Sequence, residues 1–215
     1  MKIKDIRVLP LRGETPDGGW DARILDDETN LHTLIELITD EGVTGLGSVF
    51  TSAKLVEGSL DILKTFIVGA SALDPAAVSE TCHQQTFWQG RGGAITHTIS
   101  GIDIALWDIF GKVTGQPISR LLGGRHRERI RPYASMLMAE PELMKERIQE
   151  AIGRGFKSFK IGWGPFGRVN AQMDEAIVCA ATECLSEGME LMVDAGGSDA
   201  FWPHGYKWAI NTSDM

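Results

Sequence analysis

The sequence predicts an α+β domain followed by an α/β segment, and three observations carry that prediction. Near the N-terminus, partly alternating apolar runs separated by polar loops and turns indicate an antiparallel sheet; they lie at 3–11, 31–38 and 43–50. The next hundred residues show apolar residues at helical spacing, at 53–68, 75–88 and 97–113. From residue 131 onward, strand and helix patterns alternate with short connections, which is typical of a parallel sheet.

Composition and charge bound the class of protein. The chain has 215 residues, 43 % hydrophobic and 23 % charged, which is ordinary for a globular protein of one to two domains. Its net charge of −8, with no long basic run, argues against nucleic acid or an anionic membrane as a partner. Three cysteines are too few for a disulfide scaffold, the N-terminus lacks the apolar core of a signal peptide, and no apolar run approaches a membrane span. We therefore expect a cytoplasmic protein.

Turn and stop signals delimit the elements of the first domain. Residues 13–30 are rich in Gly, Asp, Thr and Pro and predict a loop, and Thr39-Asp40-Glu41-Gly42 predicts the turn before the third strand. The clearest helix, 97–113, is followed by Gly115 and Pro117, which are helix stop signals.

The second domain follows a charged stretch, 125–131, which we interpret as a solvated connector between domains 1–125 and 126–215. Its predicted elements are strand 132–138, helix 141–153, strand 156–161, helix 169–187, strand 190–194 and a helix that starts at Gly205. Three β/α units are compatible with half of a doubly wound sheet or with part of a barrel, and the pattern leaves both open.

A glycine-rich loop follows the strand 156–161. Gly162 to Gly167 fits G-x-G-x-x-G and opens a helix, with Asp194 at the end of the next strand, as in a dinucleotide site. However, Trp163, Pro165 and Phe166 place bulk and a missing N–H where backbone amides would approach a phosphate. Asp194 also lies further along than the usual spacing of about 20 residues. Dinucleotide binding is therefore the less favoured alternative to a glycine-permissive β-to-α loop.

Two charged residues lie near the ends of predicted parallel strands. Lys160 shares one strand face with Ser158 and Gly162, in an apolar neighbourhood whose burial would lower its pKa toward that of a general base. The alternative is a lysine that snorkels at a strand end. Asp194 follows Leu-Met-Val, where α/β enzymes place metal ligands and catalytic groups, although a turn or N-cap role is equally compatible. One carboxylate is not a Mg²⁺ site.

The stretch 99–123 resembles the signature of the mandelate racemase and muconate-lactonizing branch of the enolase superfamily. Its hallmarks are Asp103, Ala105-Leu106-Trp107-Asp108, Gly111-Lys112, Pro117 and Leu121-Leu122-Gly123. The hairpin 39–47 is similar to the one in that family's N-terminal domain, and Arg91-Gly92-Gly93 is similar to its sugar-acid dehydratases. The resemblance extends over residues 1–210 and implies an α+β capping domain followed by a (β/α)₈, TIM-like barrel.

The resemblance also implies a chemistry: abstraction of the proton α to a carboxylate, with Mg²⁺ holding the enediolate. Lys160 is then the candidate base or electrophile, with Ser158 in place of a partner lysine. In the other register Gly162 replaces the base, and a His-Asp pair on later strands takes its role. Asp194 corresponds to the first of three carboxylate metal ligands, with Gly196 where relatives often have Asn.

The predicted barrel is incomplete, because a (β/α)₈ barrel takes about 250 residues and only about three β/α units are present. We expect the 215-residue chain by itself to show little catalysis and poor Mg²⁺ affinity. The implied parent is a lyase that dehydrates a sugar acid and forms a homo-oligomer; a racemase, a cycloisomerase or a non-catalytic interaction remnant are the alternatives. The resemblance places the substrate against Trp20, Phe50, Thr51 and Trp163.

Overall fold

The computed structural model describes residues 1–11 and 32–195, and the chain forms two compact units, Met1–His126 and a second that begins at Arg127. The predicted loop with Trp20 and the predicted helix from Gly205 lie outside the described residues. No helix in the described ranges combines the length and hydropathy needed to span a bilayer.

The first unit is an antiparallel sheet with helices, as predicted. Its strands pair in the order β1-β2-β3, and its elements are β1 (Ile3–Pro10), β2 (His32–Thr39), β3 (Thr44–Phe50), α1 (Ala53–Ile67), α2 (Pro75–Gln85), α3 (Ala94–Thr114) and α4 (Ile118–Leu121). The predicted helix 75–88 ends early, because a separate 3₁₀ turn takes Phe87–Gln89. The four-residue α4 was not predicted, since it is too short to show a periodicity.

The core of the first unit lies between the sheet and the helices. Alternation along β2 buries Ile35 and Leu37, and the helical stripe of α3 buries Ile102, Leu106 and Ile109. These side chains are almost completely excluded from water, and each contributes about 1.5–3 kcal/mol by burial. The apolar periodicity of the sequence therefore predicted this core correctly.

Helix α3 and strand β3 approach each other so closely that only glycine fits at two strand positions. A Cβ atom on Gly47 would lie 2.8 Å from the carbonyl carbon of Gly101, and one on Gly45 would lie 2.8 Å from Cγ1 of Ile109. In each case a helix carbonyl oxygen would be closer still. The glycines of the hairpin and of α3 therefore set the distance between helix and sheet.

Two signature residues fasten α3 to the exposed edge of β3. The backbone N–H of Leu46 donates to Asp108 Oδ2 at 2.9 Å. Lys112 Nζ donates to the same oxygen at 2.7 Å and to the Thr44 carbonyl at 2.8 Å. Because β3 is an edge strand, these side chains bind backbone groups that no further strand pairs. Asp108 and Lys112 are therefore structural in this unit.

The second unit contains three parallel strands in the order β4-β5-β6. Its elements are β4 (Ala134–Leu137), α5 (Pro141–Gly153), β5 (Ser158–Gly162), α6 (Ala171–Glu183) and β6 (Glu190–Asp194). Both helices contribute to one core with the inward side chains of the strands, centred on Phe159, Ile161, Met144, Ile148 and Ile177. Among the described residues no barrel is closed, so the structure bears out the α/β class and not a complete barrel.

Candidate functional site

Strand β5 separates apolar and polar side chains onto two faces. Phe159 and Ile161 are fully buried in the core with α5 and α6, whereas Ser158, Lys160 and Gly162 alternate with them and point to the opposite face. The sequence predicted this division correctly. The polar face carries Lys160 next to Ser158.

Lys160 and Asp194 meet on this face. Lys160 Nζ lies 2.6 Å from Asp194 Oδ2, and the two side chains are 33 % and 39 % exposed. The parallel register pairs Lys160 with Met192 and Gly162 with Asp194, so the lysine reaches two residues forward to the end of the neighbouring strand. The structure thus joins the two residues that the sequence singled out separately.

The hydrogen bond to Asp194 raises the pKa of Lys160, and the negative charge of that carboxylate adds to the effect. The expectation that burial lowers the pKa of Lys160 is therefore wrong for this structure. Its physical reason is that the ammonium is partly exposed and directly paired, so stabilisation of the charged form outweighs desolvation.

Gly162 makes room for the aspartate. A Cβ atom at this position would lie 2.7 Å from Cβ and 2.7 Å from the carbonyl oxygen of Asp194. Any larger residue would therefore push the end of β6 away from β5. The absence of a side chain at Gly162 is part of what holds Asp194 within reach of Lys160.

A second polar cluster lies on the same face, toward the start of the strands. Arg131 donates from Nε and Nη2 to Ser158 Oγ at 2.9 and 2.7 Å, and its Nη2 lies 2.6 Å from Glu190 Oε2. The hydroxyl of Ser158 lies 3.3 Å from that same oxygen. Sequence reasoning missed this cluster, because Arg131 was assigned to a solvated connector. No local sequence signal reports the cluster, because Ser158 and Glu190 meet only through the register between β5 and β6.

The glycine-rich loop uses its own backbone amides internally. The N–H of Gly167 donates to both carboxylate oxygens of Asp174, at 3.0 and 3.1 Å, and the N–H of Phe166 donates to the Trp163 carbonyl. The side chain of Asn170 caps α6 by accepting from the N–H of Met173 at 2.8 Å. These donors are engaged, and a negative carboxylate occupies the position that a phosphate requires. The loop thus favours the structural interpretation over dinucleotide binding.

The predicted substrate-contacting residues lie in different parts of the chain. In the second unit, Trp163 follows β5 directly, half-buried, with a φ of 58°. In the first unit, Phe50 ends β3 and is 54 % exposed; its ring lies 5.5 Å from the ring of His32, and its carbonyl oxygen lies 2.8 Å from His97 Nδ1. Thr51 is buried and accepts from Thr33 Oγ1 through its carbonyl. Trp20 lies outside the described residues.

The described residues do not by themselves form a site for Mg²⁺. Within 1–11 and 32–195 no three His, Cys, Asp or Glu side chains converge as a metal site. Asp194 offers one carboxylate, which already binds Lys160, whereas Mg²⁺ requires near-octahedral oxygen coordination.

Comparison with known proteins finds a domain match and a relative that spans most of the chain. Residues 26–123 match the family model of the mandelate racemase / muconate lactonizing enzyme N-terminal domain. The chain is 30 % identical over 213 residues to D-galactarolactone cycloisomerase of Agrobacterium fabrum (strain C58 / ATCC 33970), and the match covers 96 % of this chain and 53 % of that protein.

Solved structures show the same fold. The 3,6-anhydro-D-galactonate cycloisomerase from Zobellia galactanivorans has a TM-score of 0.73 at 27 % identity, and the match covers 91 % of this chain and 51 % of that one. A protein from Zymomonas mobilis ZM4 assigned as a dehydratase has a TM-score of 0.75 at 26 % identity, and the match covers 89 % of this chain and 54 % of that one. The chain thus spans about half the length of these relatives. The signature at 99–123 lies within the matched range, so residues 26–123 carry the mandelate racemase / muconate lactonizing enzyme N-terminal domain, and the chain is similar to the N-terminal half of enzymes of that superfamily.

Proposed function

We propose that this chain supplies part of an active site that removes the proton α to the carboxylate of a sugar acid. The observation that carries the proposal is the Lys160–Asp194 pair, 2.6 Å apart at the carboxyl ends of adjacent parallel strands, on the face opposite the helices. Catalytic groups in parallel α/β folds occur at this end of the strands. A lysine base is also one of the solutions used in this superfamily.

The geometry supports the register in which Lys160 transfers the proton over the one in which Gly162 replaces the base and a His-Asp pair on later strands acts. Gly162 cannot gain a side chain without displacing Asp194, whereas Lys160 already reaches that carboxylate. In the paired state Lys160 is an ammonium, which suits it to bind the substrate carboxylate as an electrophile. To accept a proton, its amine must first lose both its proton and the bond to Asp194.

Magnesium enters the proposal as an implication of the family. We propose Asp194 as one of its ligands, and the other oxygen donors must come from outside the described residues. A bound divalent cation would stabilise the negative charge that develops when the α-proton leaves. Because the described residues do not complete such a site, we expect low turnover and weak Mg²⁺ binding from the 215-residue chain by itself.

The same proton abstraction can lead to two reactions, dehydration or cycloisomerisation. In dehydration, the α-proton and a hydroxyl on the next carbon leave together as water. Cycloisomerisation, in which the product keeps the mass of the substrate, is favoured by the names of the Agrobacterium and Zobellia relatives. We propose dehydration first, as the motif Arg91-Gly92-Gly93 indicates, with cycloisomerisation as the second candidate. Mass spectrometry of the product separates the two, since only one loses water.

The test is exchange of the substrate α-proton, followed by ¹H NMR in D₂O with Mg²⁺ present. The substrates are D-galactarolactone and a panel of aldonic and aldaric acids. The chain is assayed first by itself and then mixed with the C-terminal half of the Agrobacterium cycloisomerase as a separate polypeptide. We expect exchange in the mixture, lost in Lys160→Ala and in Asp194→Asn.

The matched control is Lys4→Ala, which removes an exposed lysine from β1 in the other unit. It should exchange the α-proton at the rate of the unsubstituted chain. Exchange that survives Lys160→Ala would remove this residue from the chemistry. Absence of exchange and of any Mg²⁺-dependent rise in Tm, with or without the added polypeptide, would instead support a non-catalytic interaction domain.

A further inference from the structure

The turn between α5 and β5 forms a basic cleft that the proposed chemistry does not use. The cleft has a volume of about 280 Å³ and is lined by Arg131, Pro132, Arg154, Gly155, Phe156 and Lys157. Three of these six residues are cationic and none is acidic. We propose that this cleft binds a compact oxyanion with two negative charges, such as a phosphate group or a small dicarboxylate.

The backbone of the turn explains why these side chains converge. Gly155 adopts a φ of 92°, which glycine tolerates and which ends α5 abruptly. The N–H of Gly155 donates to Ile152, and that of Phe156 donates to Ala151. Because these amides are satisfied, the turn is fixed, and recognition falls to the side chains that flank it.

Two of the three cleft cations, Arg154 and Lys157, have no ion-pair partner among the described residues. The carbon of the Arg154 guanidinium lies over the Phe156 ring, 5.6 Å from its centroid, within the range of about 6 Å for a cation–π contact. The guanidinium has five N–H donors in a fork that matches an oxyanion.

Other cations of this unit are differently placed. Lys145 pairs with Glu183 at 2.8 Å, and Lys160 pairs with Asp194 at 2.6 Å. Arg131 also lines the cleft, but its ion pair with Glu190 means that it contributes little net charge there. In a chain with a net charge of −8, these two cations without acidic partners give one concave site a locally positive potential. A small anion that bridges Arg154 and Lys157 would pair with both charges.

The test is an NMR titration of the ¹⁵N-labelled 215-residue chain with inorganic phosphate, and separately with tartrate, at constant ionic strength. We expect saturable shifts of the amides of Gly155, Phe156 and Lys157, with a Kd in the millimolar range. Tighter binding of phosphate or of tartrate identifies the source of the oxyanion. Shifts that stay linear and small with both probes would overturn the proposal.

The variant Arg154→Gln/Lys157→Gln should weaken binding by about tenfold or more, since it removes two charge-assisted hydrogen bonds. Both side chains are exposed, so the fold should persist, and the amide spectrum of the variant reports this directly. The matched control is Arg129→Gln, an exposed arginine of the same unit that does not line the cleft. Equal weakening in the control would mean that general charge and not the cleft binds the anion.

Discussion

The substitution Gly47→Ala tests how the first unit is packed. The new methyl group would lie 2.8 Å from the carbonyl carbon of Gly101, closer still to its oxygen, and 3.2 Å from the backbone nitrogen of Ala105. These are backbone atoms of a helix, so no side chain can rotate away. Strand β3 and helix α3 must separate by about 1 Å or more, which is an overpacking defect with a typical cost of 1–3 kcal/mol.

Separation also stretches the bonds that fasten the helix to the strand edge. The Leu46–Asp108 and Lys112–Thr44 hydrogen bonds are 2.9 and 2.8 Å long, and weakening both adds about 1 kcal/mol. We therefore expect Gly47→Ala to destabilise the chain by about 2–4 kcal/mol. For a unit of this size, that loss corresponds to a decrease in Tm of about 8–16 °C.

The matched control is Gly58→Ala, which makes the same chemical change on the exposed face of α1. A Cβ atom at Gly58 meets nothing within 4 Å, and alanine has the higher helix propensity, so this variant should gain about 0.5–1 kcal/mol. The assay is urea unfolding followed by circular dichroism, with the slope m compared among the three proteins. A Gly47→Ala variant within about 1 kcal/mol of the parent would refute the close-contact argument.

Three further predictions follow from individual side chains. Burial raises the pKa of the Cys82 thiol to about 11, so iodoacetamide at pH 8 should label exposed Cys179 in the folded chain and leave Cys82 unlabelled until urea is added, as mass spectrometry will show. The Lys64 ammonium donates to Asp5 Oδ1 at 3.0 Å and lowers the pKa of that carboxyl group. The ion pair should therefore stabilise the folded chain by about 0.5 kcal/mol above about pH 4, and this stabilisation should be lost as the pH falls through the lowered pKa of Asp5. The Tm difference between the parent and Asp5→Asn should accordingly shrink between about pH 6 and pH 2.5, and a constant difference would contradict this linkage. Asn170→Ala removes the N-cap of α6 and should lower the free energy of unfolding, measured with urea, by about 1 kcal/mol. Asn170→Ser keeps a capping oxygen and should retain most of that free energy.

The sequence predicted the order and class of the strands and of the longer helices because their signals are local. Apolar alternation assigns Phe159 and Ile161 to one face of β5 and Lys160 to the other, and the structure agrees. The pattern could not tell that Lys160 pairs with Asp194, because that contact depends on the register between two strands 34 positions apart in the chain. This is why burial was expected to lower the lysine pKa, when in fact pairing raises it.

Contacts of the connector were missed for the same physical reason. Arg131 belongs to a run of charges that, in isolation, is best solvated. Its bonds to Ser158 and Glu190 exist only once β5 and β6 lie side by side, so no local signal reports them. In the glycine-rich loop, likewise, the spacing fits a phosphate site, but Asp174 from the following helix supplies the acceptor.

Glycine marks the sites where the missing side chain itself determines the geometry. The sequence shows Gly47 and Gly162 as similar residues in strands, but the structure gives them different neighbours: a helix carbonyl for Gly47 and the carboxylate-bearing residue Asp194 for Gly162. In both cases the strand gives up side-chain packing so that another backbone or residue can come close. Since substituting Gly162 would displace Asp194 relative to Lys160, this glycine constrains the candidate site as strongly as either charged residue does.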